Sequence, residues 1–173
     1  MRVLVVPLLA VACGLGVTDH ADAQSGASDN RSGDTALHQA AHNGDVLSLQ
    51  RELDQGVDPD STNRFGVTPL ALASRGGHSG AVQLLLESGA DPNHVSPMGE
   101  TPLMVAARTG VVDSVVSLLH HGADPLERES WKGQTALMWA AAERHASVVA
   151  PLVAGGAEVD SRSDAGFTPL IFA

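Results

Sequence analysis

Gly66-Val67-Thr68-Pro69-Leu70-Ala71-Leu72-Ala73-Ser74-Arg75-Gly76-Gly77 reads as one short helix with a written start and stop. Gly66 permits a turn, the Thr68 hydroxyl caps the first exposed N–H groups, and Pro69 takes the first helical position, where its missing donor costs no hydrogen bond. Gly76-Gly77 ends the helix, because glycine enters the left-handed conformation without a Cβ penalty. Beyond a tight reversal, Val82, Leu85 and Leu86 recur at i, i+3 and i+4, the spacing of a second helix with one apolar face. Gly89 closes that helix, and Ala90-Asp91-Pro92-Asn93 opens an extended loop.

The same start returns at Thr35-Ala36-Leu37, Thr101-Pro102-Leu103, Thr135-Ala136-Leu137 and Thr168-Pro169-Leu170, each two residues after a glycine. Those glycines, Gly33, Gly66, Gly99, Gly133 and Gly166, lie 33, 33, 34 and 33 residues apart. A fixed period of this length predicts a stack of helical hairpins, none able to bury its apolar face alone. Composition agrees. The 173 residues are 43% apolar, enough for a continuous core, yet only five are aromatic, so the interior must be built from Ala, Leu and Val at close helix spacing. Twenty acidic against ten basic residues leave a net charge of −10, which disfavours a phosphate backbone as partner.

Gly99-Glu100-Thr101-Pro102-Leu103-Met104-Val105-Ala106-Ala107 with Gly110, then Val115, Leu118-Leu119 and Gly122-Ala123-Asp124, resembles the ankyrin repeat signature, and the likeness runs in phase from about Asn30 to the end. The resemblance implies an all-α solenoid of helix-turn-helix-loop units. It divides the chain into repeats at 30–62, 63–95, 96–129 and 130–162 and a partial fifth at 163–173, preceded by a signal peptide (1–23) and a linker (24–29). Departures carry their own expectations. Glu52, flanked by Gln50 and Arg51, suits an N-terminal cap with a wet outer face. Arg144 stands where other units have Gly44, Gly77 and Gly110, which requires a left-handed arginine or a changed turn. Pro151 predicts a shortened or kinked second helix in the fourth unit. The one-residue insertion across Leu126 to Trp131 lengthens the third loop and displaces Trp131. After Thr168-Pro169-Leu170 the chain stops inside the fifth unit's first helix, so it reads as a fragment, with Val148, Val149, Leu152 and Val153 only partly covered; a natural end covered by a docking partner is the alternative.

The N-terminus has a separate logic. Met1-Arg2 is basic, Val3 to Val17 is apolar but too short to span a bilayer, and Ala21-Asp22-Ala23 has the small-x-small pattern of a cleavage site. Cleavage after Ala23 would start the mature chain at Gln24, in the periplasm or outside a bacterial cell. The single cysteine, Cys13, would leave with the leader. Two other readings compete: an apolar helix docked on the repeats, or a loose lipobox, Leu9-Ala10-Val11-Ala12-Cys13, that would anchor a lipidated Cys13 in a membrane.

No catalytic, cofactor or metal constellation emerges. His38 and His42 share a helical face at i, i+4 but lack a third ligand, and in the family this histidine bonds back to the cap. His78 and His145 read as helix-start residues and His120-His121 as a helix end. The resemblance instead implies a non-catalytic protein-binding scaffold, monomeric when capped, that uses its loop tips and the exposed side of the first helices. The candidate contacts are Arg64, Phe65 and Val67, Met98 and Glu100, Arg108, Trp131 and Lys132, and Phe167, with His42, Arg75, Ala142 and Glu143 in equivalent helical positions. Phe65, Met98, Trp131 and Phe167 form an apolar stripe, either free for a partner or packed between neighbouring loops; Trp139 is expected in the core. An accessory role in a longer enzyme or transporter, or a secreted effector acting on host proteins, are the alternatives to a free scaffold.

Overall fold

A computed structural model describes residues 33–172, so the leader, the linker and Cys13 lie outside the described residues. Within that range every regular element is a helix. The first helices of the hairpins are α1 (Ala36–Asn43), α3 (Pro69–Gly76), α5 (Pro102–Thr109), α7 (Ala136–Ala142) and the short α9 (Pro169–Phe172). Their partners are α2 (Val46–Asp54), α4 (Ser79–Glu87), α6 (Val112–His120) and α8 (Ala146–Ala154). Packing runs α1 on α3 on α5 on α7 on α9 in an inner row and α2 on α4 on α6 on α8 in an outer row. Each hairpin thus supplies the interior of the next, as the period predicts.

Local chemistry sets the boundaries. Thr68 Oγ1 accepts from Ala71 N at 3.3 Å and Thr101 Oγ1 from Met104 N at 3.4 Å, while Pro69 and Pro102 open their helices. Gly44, Gly77 and Gly110 end them at φ of 69°, 70° and 74°. The inner row is small inside: Ala41, Ala73, Ala106 and Ala140 are wholly buried, which lets helices approach closely around Leu37, Leu70, Leu103 and Leu137. In the outer row Leu49, Val82, Leu85, Val115, Leu118, Val148 and Leu152 complete the same core.

Three departures resolve differently from one another. Arg144 does take the left-handed conformation, at φ 61°, so the turn is kept and the arginine bears the strain. Pro151 does not shorten its helix: α8 has nine residues, as do α2, α4 and α6. Ser147, whose carbonyl loses its helical donor, is exposed, so water can satisfy it. The extra residue of the third loop lies at its tip. The tip Asn63-Arg64-Phe65-Gly66-Val67 closes by Asn63 N donating to Val67 O, whereas Glu129 N reaches one residue further, to Gln134 O.

The two end faces follow the expectation in part. At the C-terminal end the cover is partial, as the sequence predicts: Val148 and Leu152 are fully buried and Val149 half-buried, whereas Val153, Val159, Leu170 and Ile171 are exposed. On the first unit, Gln50 and Arg51 are exposed as a wet cap requires, but Val46 and Leu47 are exposed beside them.

Candidate functional site

The tips and the inner helices together line a groove, and each tip is fastened by its own side-chain clamp. Asn63 Oδ1 accepts from Phe65 N at 2.9 Å and Val67 N at 3.1 Å, and its Nδ2 donates to Asp34 Oδ1 at 2.7 Å. Ser96 and Ser163 do the same with a hydroxyl, for Glu100 N and Phe167 N. At the longer tip a serine would not reach. Glu129, buried, takes Trp131 N on Oε2 at 2.6 Å and Lys132 N and Gln134 N on Oε1 at 2.7 and 3.1 Å. Tips also touch one another. Gly66 has φ 67°, and a Cβ there would stand 2.6 Å from Pro97 Cγ, so only glycine fits both the turn and the approach. Ser130 Oγ donates to Met98 O, and Arg128 Nη2 to Asp164 Oδ1 at 2.9 Å.

On this frame the predicted stripe is outward-facing. Phe65, Met98, Trp131 and Phe167 are 55%, 70%, 79% and 46% exposed. Arg64 lies over the Phe65 ring at 4.6 Å and Lys132 over Trp131 at 4.1 Å, cation–π contacts that hold a charge against each ring without covering it. Phe167 alone packs on another ring, edge-on to Phe172 at 6.1 Å. Val67 is half-buried, and its carbonyl faces His38 Nε2 at 3.1 Å.

The inner helices add charge. Glu100 lies between Arg75 at 3.7 Å and Arg108 at 3.9 Å, with its side chain 13% exposed against 46% and 38% for the arginines. Arg108 also covers the Trp139 ring at 5.0 Å. Trp139 is therefore not a core residue: it is half-buried, packs on the core with one side and lines a recess with Arg108, Gln134, Ala142 and Glu143 on the other. A wider recess of about 760 Å³ opens between the first three tips, with Phe65, Val67, Leu72, Pro97 and Met98 as its apolar wall and Arg75 and Glu100 at its edge.

His38, His78 and His145 are structural. His38 is buried, with Nδ1 2.8 Å from Thr35 Oγ1 and Nε2 at Val67 O, while His42 is exposed, so the two do not converge. His78 and His145 start their helices as expected, but neither side chain caps them. Each crosses to the preceding unit, His78 Nε2 to His42 O at 3.0 Å and His145 Nε2 to Arg108 O at 2.9 Å, over the turn glycines Gly44 and Gly110. That bridging was not legible from spacing, since the partner is a backbone carbonyl. His121 Nδ1 lies 2.8 Å from Ser117 O at the end of α6. Among the described residues no group of three or more His, Cys, Asp or Glu side chains could hold a metal ion.

Stacked hairpins with clamped tips have a family match: a model of three consecutive ankyrin repeats matches residues 5–93 and 37–129, and a single ankyrin repeat model matches 132–164. The chain belongs to the ankyrin repeat family. Ankyrin repeats are protein-interaction scaffolds and typically non-catalytic. No curated protein matches the chain. The first family match begins at residue 5, inside the stretch read as a leader.

Proposed function

We propose that this ankyrin repeat protein is a non-catalytic scaffold that holds a protein partner in the groove formed by its tips and inner helices. The observation that carries the reading is the exposure of Phe65, Met98 and Trp131 on tips that are individually clamped, a rigid apolar row with cations beside it. Preorganised tips lose little conformational freedom on binding, so their contacts convert more fully into affinity. Phe65→Ala, Trp131→Ala and Arg108→Ala are each expected to abolish capture of the native partner from its own compartment while helical content by circular dichroism is unchanged. Capture that persists in all three would move the binding face elsewhere.

Export is the second part of the proposal, with cleavage after Ala23 and residence in the periplasm or outside the cell. The basic start, the apolar run and the Ala21-Asp22-Ala23 pattern support it. The family match that begins at residue 5 favours the competing reading, in which the apolar segment belongs to the repeat stack. The mass of the protein purified from its native source decides: a chain starting at Gln24 is expected, and an intact Met1 or a lipidated Cys13 overturns cleavage.

A further inference from the structure

Charge is divided unevenly between the two faces of the stack. Of the charged side chains in residues 33–172, the groove and its tips carry Arg64, Arg75, Arg108, Arg128 and Lys132 against Asp34, Glu100, Glu129, Glu143 and Asp164, a net charge of zero. The remaining described residues hold three cations against twelve carboxylates, a net charge of −9. A chain this acidic has gathered five of its eight described cations on one face. Salt screens exposed charges beyond about 8–10 Å, so a segment lying in the groove responds to the cations beside it more than to the acidic face behind.

We infer that the groove takes an extended acidic peptide segment of a partner protein, with one apolar side chain in the recess between the first three tips and carboxylates over Arg75, Arg108 and Lys132. The inference rests on the scaffold reading and names the partner's chemistry. The recess of about 760 Å³, walled by Phe65, Val67, Leu72, Pro97 and Met98, suits the apolar anchor. Next to it, two guanidinium groups converge on the Glu100 carboxylate at 3.7 and 3.9 Å, beyond hydrogen-bond length. Glu100 holds both arginines toward the groove, and their donors remain available to an incoming carboxylate. Glu100 is thus a positioning residue and also a competitor for the site.

Panning the full chain against a display library of random short peptides tests this. Enriched sequences are expected to pair an apolar residue with neighbouring Asp or Glu. An enriched peptide can be titrated by intrinsic fluorescence, because the chain's two tryptophans, Trp131 and Trp139, both border the groove and there is no tyrosine. The R75A/R108A double variant should bind it at least about tenfold more weakly, with helical content unchanged. Glu100→Gln should bind it about threefold more tightly, a gain that loss of a merely structural residue would not produce. A basic or uncharged consensus, no enrichment, or an acidic consensus indifferent to the two arginines overturns the assignment. If a basic consensus still loses binding on Phe65→Ala, the scaffold reading survives; indifference to Phe65, Trp131 and both arginines sinks the two together.

Discussion

The second hairpin and the fourth are built from the same plan, and they differ at almost every position that local rules govern. In the second, Thr68 caps α3, Gly77 makes the left-handed turn and α4 has no interior proline. In the fourth, the buried Thr135 hydroxyl makes no cap, Arg144 makes the left-handed turn and Pro151 sits inside α8. Yet α4 and α8 are both nine residues long, and Leu85 and Leu152 are both fully buried. A hairpin packed against its neighbours keeps its shape where propensity opposes it, because burial of Val148, Leu152 and Leu137 outweighs single local costs. The fourth hairpin should then hold recoverable stability that the second lacks.

The largest expected effect is at Pro151. Pro151→Ala restores the donor to Ser147 and is expected to raise unfolding stability by up to about 3 kcal/mol, measured by urea denaturation; an unchanged midpoint would mean that the proline is already accommodated. Next is the tip clamp. Glu129→Ala leaves three backbone N–H groups without their acceptor and should cost about 2 kcal/mol, more than Asn63→Ala, which orphans two. Equal losses would show that the longer tip is held by something other than the carboxylate. Arg144→Gly should gain about 1 kcal/mol by relieving the left-handed arginine, and Gly77→Arg should lose at least as much.

The smallest effect is electrostatic. Asp45 starts α2, and its carboxylate is held below its ordinary pKa of 3.8, chiefly by the Ser48 hydroxyl and then by the Ser48 N–H. A carboxyl depressed in the folded state contributes stability that is present above pH 3.8 and lost as pH falls through the depressed value. Asp45→Asn should therefore flatten the acid limb of the stability profile slightly and leave neutral pH nearly unchanged. An identical acid limb in the variant would remove Asp45 from the account.

The helices were legible because Thr, Pro and Gly act within a few residues of one another. So were the exposed tips at Phe65, Met98 and Trp131, since position in the period dictates them. Less was legible where a side chain chooses among distant partners. Trp139 sits at a core-like helical spacing but turns half its ring to the groove under Arg108. Glu129 reads as a charge in a solvated loop and is instead buried as a clamp. Its signal was the coincidence of an inserted residue with a longer acceptor than Asn63 or Ser96.

Periodicity alone determined the architecture of this protein: a motif repeated at 33 or 34 residues must form like units, and like units with one apolar face must stack. Tertiary structure decided the surface. Which cations share a face, which carboxylate lies between Arg75 and Arg108, and which histidine crosses to the preceding turn depend on how far one hairpin is displaced against the next. Spacing along the chain carries no record of that displacement, because it is set by packing between residues about thirty positions apart.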